Sequence, residues 1–402
     1  MKKLVIIFLV LGSASFRAAQ AQLVNNNQLI HIENGGSIFV DGDYDHKAGL
    51  VTGAGDLKLT GDWNNTSSDK VFIRPATVTV SFVGSAQFIN GTKTTFSNLN
   101  LAGTGDKSLG TDIEVTGTLS LNDRNLHVRR YDLSVLNPDV NAITRNSGFI
   151  TTDDRGTLRR NTNQSAVYLF PLGSTQSNPL YLNSNPLYRP LSFEPEDSRQ
   201  NTFAASLNNF DPNAEYSRSN LGSGLKNVSD RYFFVISQPA GFSKVKVNFY
   251  QNTAVETNTA IVDWNKTLSI WEKLSTEVKD GMFSEFNRVL SHNFDSGIRD
   301  LPVAFASVAT TANPFKFYNA FSPDGDGRND TWLIPDIDLY PDNNLTIFNR
   351  WGDEVYKANS YSNAKPWDGS GLQSGTYFYV LNVNVNGDKQ TFKGFITMVK
   401  GN

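Results

Sequence analysis

The chain has 402 residues, of which 39% are hydrophobic and 19% charged, so its length and apolar content allow two or three packed domains. Its 36 basic and 39 acidic residues give a formal charge of -3, which argues against a nucleic-acid binder, because such proteins carry a clustered excess of Lys and Arg. The absence of cysteine excludes disulfides, cysteine-ligated metals and a thiol nucleophile.

Residues 1–21 have the pattern of a secretory signal peptide. Two lysines precede an apolar run from Leu4 to Leu11, which is too short to span a bilayer. Ala19 and Ala21 place small residues at the positions that a signal peptidase reads. We therefore predict cleavage before Gln22 and export of the mature chain. A buried N-terminal helix is the alternative.

Residues 22–140 carry an internal repeat. Pairs of apolar residues, each separated by one residue, recur with steps of 21, 21 and 20 residues. The pairs are Leu57 and Leu59, Val78 and Val80, Leu99 and Leu101, and Leu119 and Leu121. A fixed period of this kind indicates one supersecondary unit stacked on the next. We predict a β-solenoid of about five coils, with an evenly spaced antiparallel sandwich as the alternative.

Residues 141–312 lose the period but keep the alternation of strands. The strand candidates are 165–171, 231–237 and 244–250. Aromatic strands joined by polar loops predict a β-sandwich, in whose core Trp264 and Trp271 are expected to pack. A sugar-binding aromatic platform is the alternative for these two residues.

Residues 313–402 end in a strong hairpin pattern. Asn386-Gly387 suits a type I′ turn, because both central residues of that turn need positive φ. A two-residue loop fixes the register of the flanking strands. The pattern therefore predicts that Leu381 faces Phe392 and that the ring of Tyr379 covers Gly394.

Four motifs of this last segment occur together and in a set order. They are NAFSPDGDGRNDTW at 319–332, IFNRWGDEVY at 347–356, WDG at 367–369 and SGTYFYVL at 374–381. The segment resembles the gliding motility-associated C-terminal domain, which is the type B sorting domain of the type IX secretion system in Bacteroidota. Only Asp324 departs from the family pattern, which usually has Asn there. The resemblance covers under a quarter of the chain.

The resemblance implies a cellular location for the protein and does not imply a biochemical activity. It implies export to the periplasm by the signal peptide, passage through the type IX translocon, a PorP-type outer-membrane partner and a final place outside the cell or on its surface. It implies a small β-sandwich for residues 313–402. For Trp332, Trp351 and Trp367 we predict core positions, with partner-binding anchors as the alternative.

The motif at 319–332 also contains a candidate metal site. Asp324, Asp326, Asn329 and Asp330 offer four oxygen-bearing side chains within seven residues. Calcium prefers such ligands on a flexible loop, although the spacing does not fit an EF-hand. Calcium is thus the one candidate cofactor. The alternative is a turn in which the carboxylates accept hydrogen bonds from backbone N–H groups.

No catalytic constellation emerges from the sequence. The histidines are isolated, and His127 lies on an alternate strand position that predicts an outer surface of the solenoid. Glu194, Glu196 and Asp197 are interpreted as solvated charges in a loop rather than as a glycosidase pair.

We therefore predict a protein that is not an enzyme: a secreted or cell-surface structural or adhesive protein, with surface polysaccharide as a candidate ligand. One alternative is a carbohydrate-active enzyme, similar to a β-helix lyase, that is delivered by the same route. The other is an accessory component of the secretion or gliding machinery.

Overall fold

A computed structural model describes residues 22–73, 76–175, 187–283, 285–308, 314–385 and 388–400. In these ranges the regular elements are β-strands and two short 3-10 helices, Pro212–Ala214 and Ile337–Leu339, so the prediction of an all-β fold is confirmed. The proposed signal peptide lies outside the described residues. Within them, no helix is long and apolar enough to cross a membrane.

The chain forms two compact units, which meet in sequence between Ser307 and Val308; the short segment 223–226 groups with the second unit. The first unit opens with a parallel β-solenoid of about 7 turns. Its strands are β1 Leu23–Ile32, β2 Ser37–Val40, β3 Tyr44–Gly53, β4 Asp56–Leu59, β5 Trp63–Asn65, β6 Thr79–Phe82, β7 Gln87–Gly91, β8 Thr94–Phe96, β9 Asn98–Leu101, β10 Lys107–Leu109, β11 Ile113–Val115, β12 Leu119–Ser120, β13 Leu126–His127, β14 Asp132–Val135, β15 Ile143–Thr144, β16 Ile150–Thr151, β17 Thr157–Thr162 and β19 Leu172–Ser174, with β18 Tyr168–Phe170 in a separate sheet.

The coils contribute strands to three parallel sheets, of which the third begins at β8. Sheet A runs β1-β3-β5-β7-β10-β13-β16-β19, sheet B runs β2-β4-β6-β9-β12-β15, and sheet C begins as β8-β11-β14-β17. Because strands of successive coils pair in parallel, the antiparallel alternative for this region is wrong. The repeat continues beyond residue 140, where it was predicted to end, which is why it has more coils than the expected five.

The apolar repeat forms the solenoid core. In sheet B, Leu57 pairs with Val80, Val80 with Leu99, and Leu99 with Leu119, and all four are fully buried. The second repeat pair is therefore Val80 with Phe82 rather than Val78 with Val80. The connection between β5 and β6 is longer than the corresponding connections of the other coils. The buried pair of β6 therefore lies two residues later in the sequence than the repeat predicts.

Backbone hydrogen bonding continues without a break from the last coils of the solenoid into the sandwich. Its strands are β20 Leu187–Tyr188, β21 Leu191–Pro195, β22 Asn201–Asn208, β23 Leu225–Val228, β24 Phe233–Ala240, β25 Val245–Gln251, β26 Ala260–Asn265, β27 Ile270–Lys273, β28 Glu277–Phe283, β29 Phe286–Phe294 and β30 Leu301–Val308. Strand β22 pairs antiparallel with β17, so sheet C continues as β17-β22-β24-β30-β26-β27. Sheet D is β18-β21-β25-β29-β28.

Sheets C and D pack through aromatic side chains. Phe193 of sheet D stacks on Phe203 of sheet C at 4.8 Å between ring centroids. Trp264 and Trp271 are buried, as predicted, and form a cross-strand pair. The solenoid and sandwich side chains belong to one hydrophobic cluster, so the proposed domain boundary between residues 140 and 141 stays a prediction.

The second unit contains one five-stranded sheet in its described residues. Its strands are β31 Ala320–Phe321, β32 Asn343–Phe348, β33 Glu354–Asn359, β34 Gly375–Val385 and β35 Asp388–Met398, in the order β31-β35-β34-β32-β33. Irregular segments cover its inner face. The predicted hairpin register is confirmed, since Tyr379 pairs with Gly394 and Leu381 with Phe392. The turn at 386–387 lies outside the described residues.

Candidate functional site

Two of the predicted core tryptophans hold the second unit together. Trp332 and Trp367 are buried and joined by a backbone hydrogen bond of 2.8 Å from the Trp332 N–H to the Trp367 carbonyl. The indole N–H of Trp332 donates to the Tyr318 carbonyl at 2.7 Å. The hydroxyl of Tyr361 donates to the Trp332 carbonyl and accepts from the Trp367 N–H. The motifs around 332 and 367 therefore supply the centre of one core.

Gly394 is required by the packing of this core. The ring of Tyr379 lies over it, and a Cβ at position 394 would stand 2.6 Å from the tyrosine oxygen. The same ring also packs against Phe317 and Trp332, at 4.9 and 5.0 Å between centroids. Any larger residue at 394 would have to displace an aromatic ring that is packed against two others.

The acidic loop is built largely by its own carboxylates. Asp330 accepts hydrogen bonds from the N–H groups of Gly325 at 2.7 Å and Gly327 at 2.8 Å. Asp324 accepts from the N–H of Asp326 at 3.2 Å. Carboxylate oxygens of Asp324, Asp326 and Asp330 nevertheless lie within 4.8 Å of one another at the surface. The loop thus has the geometry of an Asx turn and also gathers three anionic ligands.

Asn329 is the fourth predicted ligand, and its backbone has a structural role. It adopts a positive φ of 53°, and its carbonyl accepts a hydrogen bond of 2.8 Å from the N–H of Ser322. This bond closes the loop at its base. The carboxylates of the other three predicted ligands form the cluster described above, and a role for the Asn329 side chain as a ligand stays a prediction.

Trp351 contradicts its predicted core position. Its side chain is 72% exposed, and the guanidinium of Arg350 lies 4.1 Å from the indole centroid. The turn that carries it is firmly held, because the side-chain oxygen of Asn349 accepts from the N–H groups of Trp351 at 2.9 Å and Asp353 at 3.0 Å. Gly352 supplies the left-handed residue with φ +90°. The NRWGD motif therefore presents an indole and a cation to solvent.

Residues 315–398 match the family model of the CHU_C type IX secretion signal domain. The resemblance of the last 90 residues is thereby confirmed. The chain is exported by the type IX secretion system to the cell surface or the extracellular space, and its signal domain interacts with that machinery. Comparisons with curated proteins and with solved structures found no match.

The signal domain also exposes aromatic side chains on the outer face of its sheet. Phe348, Phe378 and Phe395 are cross-strand partners on β32, β34 and β35, and we refer to them as the outer aromatic row. Phe378 is 47% and Phe395 48% exposed. The NRWGD turn begins directly after Phe348. Trp351 therefore follows Phe348, one member of the row, by three residues. The row lies outside the core, which is formed by other residues.

In the first unit, the outer face of sheet A carries a groove of about 370 Å³. Its lining residues are Phe88, Ser108, His127, Arg129, Thr151, Asp153, Asp154 and Thr175. Burial raises the pKa of Asp153, whose carboxylate accepts a hydrogen bond of 2.7 Å from Ser174. His127 is a partly exposed residue of the outer surface, as predicted.

Both ring nitrogens of His127 are engaged. Nδ1 lies 3.0 Å from the Thr151 hydroxyl and Nε2 lies 3.3 Å from an oxygen of Asp106. His31 has a similar arrangement on β1, the first strand of sheet A: its Nδ1 lies 3.0 Å from Thr52 and its Nε2 3.3 Å from Glu33. A contact between a histidine and the threonine of the next coil therefore occurs at two places in sheet A.

The carboxylates near residue 195 lie in strand β21 and in the segment that directly follows it. Glu194 lies within strand β21, so its predicted loop position is wrong, and it is paired across the sheet with Lys246. Glu196 is exposed. Hydrogen bonds from Arg199 and Ser243 hold the pKa of Asp197 well below its usual range. Glu194 thus pairs with Lys246 across the sheet, and Asp197 accepts hydrogen bonds from Arg199.

Proposed function

We propose that this exported chain is a non-catalytic structural or adhesive protein of the bacterial cell surface. The observation that carries the proposal is the continuity of sheet C, in which nine strands pair one after another from β8 in the solenoid to β27 in the sandwich. Such a sheet joins the two parts of the first unit by backbone hydrogen bonds instead of a flexible linker. A stiff extracellular body of this kind suits a stalk or a binding module.

The proposal includes the route and the partner. The chain would enter the periplasm by its signal peptide and pass the outer membrane through the type IX translocon, with a PorP-type outer-membrane protein as its partner. Trp351, the Arg350 guanidinium against it and the outer aromatic row would form the contact surface. Trp and Arg are enriched among the residues that contribute most of the binding energy at protein interfaces.

The first prediction concerns Trp351. Trp351→Ala should lower the amount of protein at the cell surface by about tenfold, in line with the loss of one interface anchor, and should leave folding stability within about 0.5 kcal/mol, because the side chain is exposed. Surface proteolysis of intact cells and thermal unfolding of the purified chain measure the two quantities. Phe242→Ala removes an aromatic ring that is 77% exposed in the first unit and should have no effect on delivery. Equal delivery of the Trp351 variant and the parent would refute the contact surface.

The second prediction separates this proposal from that of a carbohydrate-active enzyme. The full chain, incubated with neutral and acidic polysaccharides, should release no reducing ends and no unsaturated sugars. Colorimetric detection of reducing ends and ultraviolet absorbance measure these products. Product formation that disappears in His127→Gln or Asp153→Asn would overturn the non-catalytic proposal and identify the groove as an active site.

The third prediction concerns calcium. We propose that Asp324, Asp326 and Asp330 bind this ion, because their oxygens already lie within 4.8 Å of one another and calcium takes several hard oxygen ligands. Calorimetry of the full chain should show binding at millimolar calcium that Asp326→Asn weakens. Asp338→Asn is the matched control, since Asp338 lies in the same domain outside the loop. If the parent chain shows neither heat of binding nor thermal stabilisation with calcium, the calcium site is refuted and the loop is a hydrogen-bonded turn.

A further inference from the structure

We propose that the groove on the outer face of sheet A binds a neutral polysaccharide chain. The inference deepens the proposed function and rests on it in one respect, since an exported protein meets such polymers outside the cell. The groove itself is defined by side chains of four successive coils, which the topology of the solenoid brings together.

The floor of the groove is a column of outward side chains, one from each coil. Ser108 pairs with Phe88 on one side and with His127 on the other, and His127 pairs with Thr151. Successive strands of a sheet lie about 4.8 Å apart, so the column extends along the solenoid axis. The small side chain of Ser108 leaves room between Phe88 and His127. An elongated, open channel results, and this shape suits a polymer that continues beyond the site.

The chemistry of the lining matches a sugar ring. Phe88 is 38% exposed at one end of the column and offers an apolar face against which the C–H face of a pyranose can pack. Ser108, Arg129 and Asp154 supply hydrogen-bonding groups beside it. A pyranose needs both kinds of contact, because it is apolar on its faces and carries hydroxyls around its rim. Sites for small ligands likewise combine apolar walls with a few placed polar groups.

The charges of the groove favour a neutral polymer. Arg129 is accompanied by Asp153 and Asp154 in the lining, and Asp106 lies against His127. The carboxylates outnumber the guanidinium and would repel an acidic polysaccharide such as a uronate, since unpaired like charges weaken binding. The hydroxyl groups of a neutral polysaccharide can accept hydrogen bonds from Arg129 and donate hydrogen bonds to the carboxylates without this repulsion.

The same face continues as a polar ladder beyond Phe88. The side-chain N–H of Asn64 donates to Asp45 at 2.9 Å, and that of Asn90 donates to the oxygen of Asn64 at 3.2 Å. Asn90 lies on β7 two residues after Phe88, and therefore on the same side of the sheet. The ladder gives the polymer further hydrogen-bonding groups, so the binding face is longer than the groove alone.

Affinity electrophoresis of the full chain tests the inference. Native gels would contain hydroxyethylcellulose, laminarin, galactomannan or arabinoxylan as neutral probes, and polygalacturonate as the acidic probe. We expect retardation in at least one neutral gel and none with polygalacturonate. Phe88→Ala should weaken that retardation by at least about tenfold, the loss typical of an anchoring aromatic side chain. Ser108→Phe, which fills the channel, should have the same effect.

Phe39→Ala is the matched control, because Phe39 is 61% exposed on sheet B of the same solenoid. It should be retarded like the parent. Migration unaffected by every neutral probe, retardation by polygalacturonate alone, or equal retardation of the Phe88→Ala, Ser108→Phe and parent chains would each overturn the inference. Surface delivery, measured on the same variants, reports on the proposed function separately, because Phe88 lies outside the signal domain.

Discussion

Removal of residues 313–402 is expected to abolish delivery of the chain to the cell surface. The deleted segment contains the whole match to the type IX secretion signal domain. The remaining residues keep a compact unit with its own hydrophobic cluster, so the truncated chain should still fold. Cell fractionation combined with surface proteolysis should find it in the periplasm, with surface protein reduced by at least about a hundredfold, because the interaction with the translocon is lost entirely.

The reverse experiment tests sufficiency. A soluble periplasmic reporter joined to residues 313–402 should reach the surface, and the same fusion carrying Trp332→Ala should fail. That substitution removes one of the two tryptophans buried in the domain core and should cost about 3 to 5 kcal/mol of stability. Normal surface delivery of the truncated protein would show that the signal domain is not what directs export.

The fold could be predicted from the sequence wherever one local rule repeated. The apolar pairs recur because each coil must bury the same positions, and Leu57, Leu99 and Leu119 do stack in one column. The rule failed at Val78, where a longer coil shifts the register. The period constrains the spacing of strands only while the coils keep one length.

The hairpin of the signal domain was predictable for a different reason. A two-residue turn sets the register with no further information, so the pairing of Tyr379 with Gly394 followed from the sequence. Trp351 was not predictable in this way. Aromatic residues are buried more often than not, and only the hydrogen bonds made by Asn349 show that the turn holds this indole outward.

The groove was beyond the reach of sequence patterns. Phe88, His127 and Thr151 are separated by more than 20 residues of chain, and only the parallel pairing of β7, β10, β13 and β16 aligns them. The period predicted that alternate residues face outward. It could not predict which outward residues of successive coils share a column, since coil lengths differ.

The contacts of Arg160 in the core were likewise not predictable from the sequence. The second prediction with a large expected effect concerns this residue. Its side chain is fully buried between the solenoid and the sandwich. Nη1 donates to the carbonyl of Leu169 at 2.6 Å, and Nη2 donates to the carbonyls of Asp139 at 3.2 Å and Val140 at 3.1 Å. Burial lowers the pKa of Arg160 to about 10, so the side chain stays charged at neutral pH. The guanidinium thus links strand β18 of sheet D to the last coils of the solenoid.

Arg160→Met should destabilise the first unit by about 3 kcal/mol. Each buried carbonyl left without a donor costs about 1 to 3 kcal/mol, and the relief of no longer burying a cation offsets part of the total. The midpoint of guanidinium unfolding, followed by intrinsic tryptophan fluorescence, measures the change. Arg160→Lys keeps the charge but cannot reach all three carbonyls, so its loss should be intermediate.

Arg159→Met is the matched control, because Arg159 precedes Arg160 on β17 and points to the opposite face. It pairs with Asp132 at 2.7 Å and its side chain is 39% exposed, so its removal should cost no more than about 1 kcal/mol. If the two substitutions lower the stability equally, β17 tolerates neither of them, and the lost contacts with the carbonyls do not explain the destabilisation by Arg160→Met. A loss confined to Arg160 would identify a buried cation as the joint between the solenoid and the sandwich, and would explain how an exported chain without cysteine keeps these two parts in one rigid unit.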